Sequence, residues 1–163
     1  MRLLILRHAL AVERGTPGIA DDDRPLTPEG ERKFKKAARG LARVAVRPEA
    51  ILSSPLPRAW RTAEIAAAAW GRLAPERTPA LVGGSLGDLA HALGPYGAQS
   101  TVAIVGHEPH LSGLLAELLG SRTAERLTFR KGGAALVDVP ADLASGGNLV
   151  WFLPPKLLRA LGE

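Results

Sequence analysis

Met1-Arg2-Leu3-Leu4-Ile5-Leu6-Arg7-His8 opens the chain and decides how the rest is read. Leu3 to Leu6 is an unbroken apolar, branched run without polar alternation, the pattern of a strand covered on both faces by helices. The strand ends directly in Arg7 and His8. In an open α/β sheet the carboxyl ends of the strands are where ligands bind. A guanidinium offers a planar fork of donors to a phosphate or carboxylate, and a neutral imidazole offers a nucleophilic nitrogen near pH 7. The pair reads as an anion grip beside an attacking atom; on its own it reads more readily as a polar strand end in solvent, and later stretches decide between the two.

Two more strands end in the same way. Ala50-Ile51-Leu52-Ser53 is followed by Ser54-Pro55-Leu56-Pro57 and a helix from about Arg58 to Trp70. Arg58 thus sits at a second strand's carboxyl edge, where the free N–H groups of a helix start also favour an anion. Arg61 follows at a different angle; without Arg7-His8, both Arg58 and Arg61 would read as ordinary surface arginines. Thr101 to Val105 is the third buried strand; it ends in Gly106-His107-Glu108-Pro109-His110 and leads into a helix over Leu111 to Leu119. His107 is therefore delivered to the same edge, and His110 reads as peripheral. Neither a third ligand nor any cysteine accompanies the two histidines, so they do not make a zinc site.

Between these strands, Glu13 to Arg24 is a polar loop with Gly15, Pro17, Gly18 and Asp21-Asp22-Asp23, long enough to fold over the first strand's end. Thr27 is an N-cap and Pro28 a first helical residue for a helix over about Pro28 to Val44. Phe34, Ala38, Leu41 and Ala45 share one face of it, while Arg32, Lys36, Arg39, Arg43 and Arg47 form a basic stripe that reads as solvated. A connection over 71–79, a short strand over Thr78 to Leu81, a turn at Val82 to Ser85 and a helix over Leu86 to Leu93 follow, with His91 structural or solvent-facing. Ala134 to Val139 and Asn148 to Leu153 form a hairpin at a sheet edge around a Gly-rich turn, preceded by Lys131-Gly132-Gly133, and Lys156 to Leu161 is a tail helix. The expected fold is one α/β domain over 1–163, a three-layer sandwich whose mainly parallel central sheet is flanked by helices and carries one antiparallel edge hairpin.

Composition narrows the function. The chain has 163 residues, 46% of them hydrophobic, enough for one sizeable core and no second ordinary domain. Cysteine is absent, which excludes disulfides, thiolate metal sites and a Cys nucleophile. The apolar run after Arg2 is too short for a signal-peptide core and no run reaches a membrane span, so the expectation is a soluble, cytoplasmic protein. The net charge of +5 favours anionic partners. The basic stripe has no interleaved aromatics for stacking, so no nucleic acid is expected.

Arg7-His8, Ser53-Ser54-Pro55-Leu56-Pro57-Arg58 with Arg61-Thr62-Ala63-Glu64, and Val105-Gly106-His107 occur in the order and at separations that resemble the histidine phosphatase superfamily, whose fold is phosphoglycerate mutase-like. The short length, Arg24-Pro25-Leu26-Thr27 before the first helix, and the closing Trp151-Phe152-Leu153-Pro154-Pro155-Lys156-Leu157 are most similar to its small branch, the SixA-type phosphohistidine phosphatases. The resemblance implies that His8 is a nucleophile that becomes transiently phosphorylated. Arg7, Arg58 and His107 would complete the phosphate pocket, with Arg24 as a further substrate-binding residue, and neither metal nor cofactor is required.

Two departures matter. Ala9 stands where the family's commonest opening has Gly. The larger members carry a proton-donating acid after the second strand-helix unit, and Val82-Gly83-Gly84 here holds none. Glu108 resembles the position used by phytase-like members and is the remaining candidate for that acid. Without one, the leaving group must be good, and a phosphorylated imidazole is. The implied function is a metal-independent phosphatase acting on phosphohistidine in a protein, a phosphotransfer domain, and working as a monomer. The alternatives are a hydrolase of small phosphoesters with the same chemistry, or a module that binds phosphorylated partners without turnover.

Overall fold

A computed structural model describes residues 1–71, 73–140 and 142–163. Arg72, in the connection expected over 71–79, and Ala141, in the hairpin's turn, lie outside the described residues. Six strands form a single sheet: β1 (Arg2–Arg7), β2 (Ala50–Ser53), β3 (Glu76–Arg77), β4 (Thr101–Gly106), β5 (Ala134–Asp138) and β6 (Asn148–Leu153), in the order β3-β2-β4-β1-β5-β6. The first four are parallel, β5 runs antiparallel to β1, and β6 pairs antiparallel with β5 at the edge. The sheet is thus mixed, mostly parallel, with the expected antiparallel hairpin.

The unalternated run of β1 is explained by where its side chains go. Leu4 and Leu6 enter a core with Phe34, Leu41, Ile51, Ala63 and Val105, whereas Leu3 and Ile5 enter a second core with Leu81, Leu89, Ile104, Leu111 and Leu115. One face is covered by α1 (Pro28–Val44), α2 (Pro57–Ala69) and α6 (Pro155–Leu161), and the other by α3 (Ala80–Gly83), α4 (Leu86–Leu93) and α5 (His110–Leu118). A strand buried on both faces needs no polar side chain until its end, and there Arg7 and His8 stand.

α1 begins where its capping chemistry places it, with Thr27 Oγ1 accepting the Gly30 N–H at 2.9 Å and Pro28 in the first turn. Two expectations are corrected. The short strand is not at Thr78 to Leu81 but at Glu76–Arg77, and α3 begins immediately afterwards at Ala80, so Val82 and Gly83 are helical rather than part of a turn. Pro79 explains the shift, because it has no N–H for a ladder and suits a helix start. The basic stripe of α1 is also not simply solvated. Arg39 Nε donates to the Gly162 carbonyl at 3.0 Å, Arg43 to the carbonyls of Leu161 and Glu163, and Arg47 Nε to the Trp70 carbonyl at 2.9 Å. These arginines hold the carboxyl ends of α6 and α2, where cations satisfy orphan carbonyls and oppose the helix dipole. α1 and α6 approach so closely at Gly40 and Gly162 that a Cβ on either would run into the other's backbone.

Among the described residues no helix is long and apolar enough to cross a membrane.

Candidate active site

Sheet register alone brings two of the candidate residues level. Arg7 pairs with Gly106 across β1 and β4, and Ser53 pairs with Val105 across β2 and β4. His8 and His107 therefore leave adjacent strands side by side, and Ser54 leaves the third strand level with Gly106, one residue before His107. Two hydrogen bonds extend the ladder past the strand ends, from His8 N–H to the Gly106 carbonyl at 3.0 Å and from Ser54 N–H to the Val105 carbonyl at 2.9 Å. The His8 and His107 rings lie 5.2 Å apart, centroid to centroid. α2 starts four residues after Ser53 and contributes Arg58 from its first turn.

An antiparallel strand starts where its parallel neighbours end, so β5 is preceded by a segment that reaches the same edge. Gly132 N–H donates to the His8 carbonyl at 3.0 Å and to the Arg7 carbonyl at 3.2 Å, and Arg7 N–H donates to the Gly133 carbonyl at 3.1 Å. Gly132 has φ +79°, a backbone conformation that side-chain-bearing residues rarely adopt. Here the Lys131-Gly132-Gly133 stretch locks the backbone of Arg7 and His8 in place.

Each side chain is oriented by a fixed partner. His8 is buried, and its Nδ1 lies 2.7 Å from the Ala9 carbonyl, which can only accept. Nδ1 therefore carries the proton, and Nε2 keeps a free lone pair in the neutral ring. Burial holds the His8 pKa down to about 3, with repulsion from His107, Arg58 and Arg7 adding to it. His107 is likewise pushed down to about 4, first by burial and then by the charge of Arg58. Both rings are neutral at pH 7. His107 Nε2 is 2.7 Å from Ser54 Oγ, which also accepts the Leu56 N–H, and its Nδ1 is buried with no partner.

The two arginines are tethered alike. Arg7 Nη1 donates to the Phe129 carbonyl at 2.6 Å, and Arg58 Nη1 donates to the Asp21 carbonyl at 2.8 Å. In both, Nε is buried without a partner. Burial lowers both pKa values from the ordinary guanidinium value without neutralising either group. An unpaired buried donor is costly, and three of them beside one histidine mark a place shaped for an anion.

Arg24 is buried near this group, with Nε on Asp21 Oδ1 at 2.8 Å and Nη1 on the Val12 carbonyl at 2.8 Å. It fixes the loop whose Asp21 carbonyl anchors Arg58, and its charge reaches both Arg58 and His107. Glu108 occupies a place unlike that of a free acid. Its Oε1 accepts the Phe129 N–H at 2.7 Å, and its Oε2 accepts the Ser112 hydroxyl at 2.6 Å and the Ser112 N–H at 3.3 Å. It thus grips the residue whose carbonyl grips Arg7. His110 turns away from His107, its Nε2 lying 2.6 Å from the Gly84 carbonyl. Arg61 belongs to a surface ion-pair group with Glu31 and Glu64.

Reading residue types missed the supporting cast. Ser54, Asp21 and Phe129 act through a hydroxyl or a main-chain carbonyl; the carbonyls carry no signature in the sequence. Thr62, fully buried one turn after Arg58, was identifiable by that spacing alone.

Comparisons with known proteins place the fold. A model of the histidine phosphatase superfamily (branch 1) matches residues 3–94. An uncharacterized protein of Picosynechococcus is 36% identical over 136 residues, covering 82% of each chain. The phosphohistidine phosphatase SixA of Escherichia coli is 28% identical over 164 residues, covering 98% of this chain and 97% of that one. Among solved structures, a protein histidine phosphatase SixA complexed with tungstate superposes with a TM-score of 0.82 at 27% identity, covering 97% of this chain and 99% of that one.

Proposed function

The chain belongs to the histidine phosphatase superfamily and is a phosphatase, and within that class we propose that it hydrolyses phosphohistidine on a protein, of the phosphotransfer-domain type, through a phosphorylated His8. The observation that carries the reading is the set of unpartnered buried nitrogens, Arg7 Nε, Arg58 Nε and His107 Nδ1, around a histidine whose Nε2 is free. A tetrahedral oxyanion satisfies all three, and the tungstate complex of the SixA relative involves an anion of that shape.

In this mechanism His8 Nε2 attacks phosphorus in line, forming the N–P bond while the bond to the substrate's imidazole breaks. Arg7 and Arg58 present their Nε edges to the equatorial oxygens and neutralise charge as it spreads over them. With the Ser54 hydroxyl donating to His107 Nε2, the proton of that ring sits on Nδ1, which then donates to a third oxygen. The Ala9 carbonyl stabilises the charge that develops on His8, as a fixed acceptor on Nδ1–H. Water then attacks the phosphohistidine from the opposite side, releasing phosphate and restoring His8.

Phosphohistidine is favoured over an ester because of leaving-group chemistry. An alkoxide needs a proton in the transition state, an effect worth about 10²–10⁴ in rate. Both oxygens of Glu108 hold Phe129 and Ser112, and both oxygens of Asp21 hold arginines. A phosphorylated imidazole needs no such donor, since its other nitrogen can be protonated beforehand.

The test is phosphate release from a phosphohistidine-bearing phosphotransfer domain and from a simple alkyl phosphate, with acid-labile phosphate trapped on the enzyme. The domain is expected to be turned over much faster, with the label on His8 and none in His8→Ala. Equal or faster turnover of the alkyl phosphate would favour the small-ester alternative. Labelled phosphate on His8→Ala would remove His8 from the role.

A further inference from the structure

Thr62 sits on α2 one turn beyond Arg58 and is fully buried. Its Oγ1 accepts the Ala9 N–H at 3.0 Å, and the same hydroxyl donates to the Arg58 carbonyl at 2.7 Å. Ala9 in turn receives the Nδ1–H of His8 on its own carbonyl at 2.7 Å. One residue is thus held at its N–H by Thr62 and holds the His8 ring with its C=O.

A bond from a helical threonine to the carbonyl four residues back is common and explains only half of this arrangement. The Ala9 N–H is the other half, and it crosses from α2 to the end of β1. We propose that Thr62 is a positioning residue for the nucleophile. Its hydroxyl fixes Ala9 so that the proton of His8 stays on Nδ1 and the lone pair on Nε2. It also ties that residue to the helix that carries Arg58, keeping the attacking nitrogen and the phosphate grip at one spacing. A single hydroxyl can do both because it donates one hydrogen bond and accepts others. Valine has the same shape and can do neither; serine keeps both bonds and loses only a methyl group.

The inference rests on the reading of His8 as nucleophile, and the experiment separates the two. Thr62→Ser, Thr62→Val and Thr62→Ala are compared with wild type by the single-turnover rate of His8 phosphorylation, by substrate KM, and by ¹⁵N resonances of the His8 ring. Folding of each is checked by near-ultraviolet circular dichroism. Valine and alanine both lack the hydroxyl, so one folded variant of the two suffices. The expected loss is about 10- to 100-fold in phosphorylation rate, the range known for partners that orient metal-ligating histidines, with KM little changed. The ¹⁵N shifts should move from one tautomer towards a mixture, and Thr62→Ser should recover most of the rate and the single tautomer. A folded Thr62→Val or Thr62→Ala with wild-type rate and wild-type ¹⁵N shifts overturns the proposal. If wild type carries no phosphate on His8, the mechanism fails, and the ¹⁵N comparison still decides whether Thr62 governs the ring.

Discussion

Burying His8 and His107 as neutral rings makes the fold sensitive to mild acid, and His8→Gln isolates the effect. Both rings have an ordinary value near 6.5 when unfolded, against about 3 and about 4 in the fold, with burial as the main cause in each. The unfolded chain therefore takes up protons first. The stability that comes from keeping the rings neutral is fully present above pH 6.5 and is lost as pH falls towards those folded values. Each ring costs up to about 1.4 kcal/mol per pH unit, so at pH 5 His8 accounts for about 2 kcal/mol. His107 adds a similar amount, and the pair removes up to about 4 kcal/mol from a domain whose whole stability is of the order of 5–15 kcal/mol. Carboxylates held low by arginines, Asp21 and Glu31 among them, titrate further to the acid side and leave the window between pH 5 and 7.5 to the histidines. Urea unfolding at steps across that window, in buffers without phosphate, measures the slope. His8→Gln should lose about half of it and be relatively more stable at pH 5 than at pH 7.5. A flat wild-type profile, or a slope unchanged in His8→Gln, would refute the burial argument.

Further outcomes follow from the same geometry. Arg58→Lys and Arg7→Lys keep the charge but lose the tethered fork, and each should lose about 2–4 kcal/mol in kcat/KM at unchanged fold, the scale of one lost oxyanion donor. Glu108→Gln retains an acceptor for the Phe129 N–H and should cost only about 1 kcal/mol, equally on phosphohistidine and alkyl phosphate; a loss confined to the alkyl substrate would make Glu108 a proton donor instead. Gly40→Ala places a methyl group against the Leu158 carbonyl and should destabilise the fold by about 1–3 kcal/mol in thermal unfolding, with a smaller effect on kcat than any change at Arg7, His8, Arg58 or His107.

The sheet was legible in the sequence because β1, β2 and β4 are each buried on both faces and end in polar residues; an apolar run followed by Arg-His, Ser-Ser or Gly-His states both the strand and its edge. The pairing of β1 between β4 and β5 was not, since strand order depends on which helices cover which face. The role of Arg39 and Arg43 was equally hidden, because it exists only once α6 docks on α1; Gly40 and Gly162, far apart in the chain, carry that contact without any periodic signal. Arg7, His8, Arg58 and His107 were readable as residue types that phosphoryl chemistry uses. What orients them was less so, because Ala9, Asp21 and Phe129 work through main-chain carbonyls that any residue supplies. Glu108 looked like an acid from its resemblance to the position that phytase-like members use; only the fold brings Phe129 to it.

Those carbonyl partners explain how the site keeps its charge. Among the described residues neither Arg7 nor Arg58 forms an ion pair with a carboxylate; each is held by one carbonyl at Nη1. A direct carboxylate partner would orient a guanidinium just as firmly, but it would cancel the charge and compete with phosphate for the same fork. Here the acids stand one step back. Glu108 holds the peptide of Phe129, and Asp21 holds Arg14 and Arg24 with its side chain while its carbonyl holds Arg58. The positive potential is therefore left for the substrate, and the same potential helps to keep both histidines neutral. In the proposed mechanism, a neutral His8 beside two cations without direct carboxylate partners is the combination that attack on a phosphoryl dianion requires, since the cations screen the approach and the lone pair of His8 Nε2 remains free.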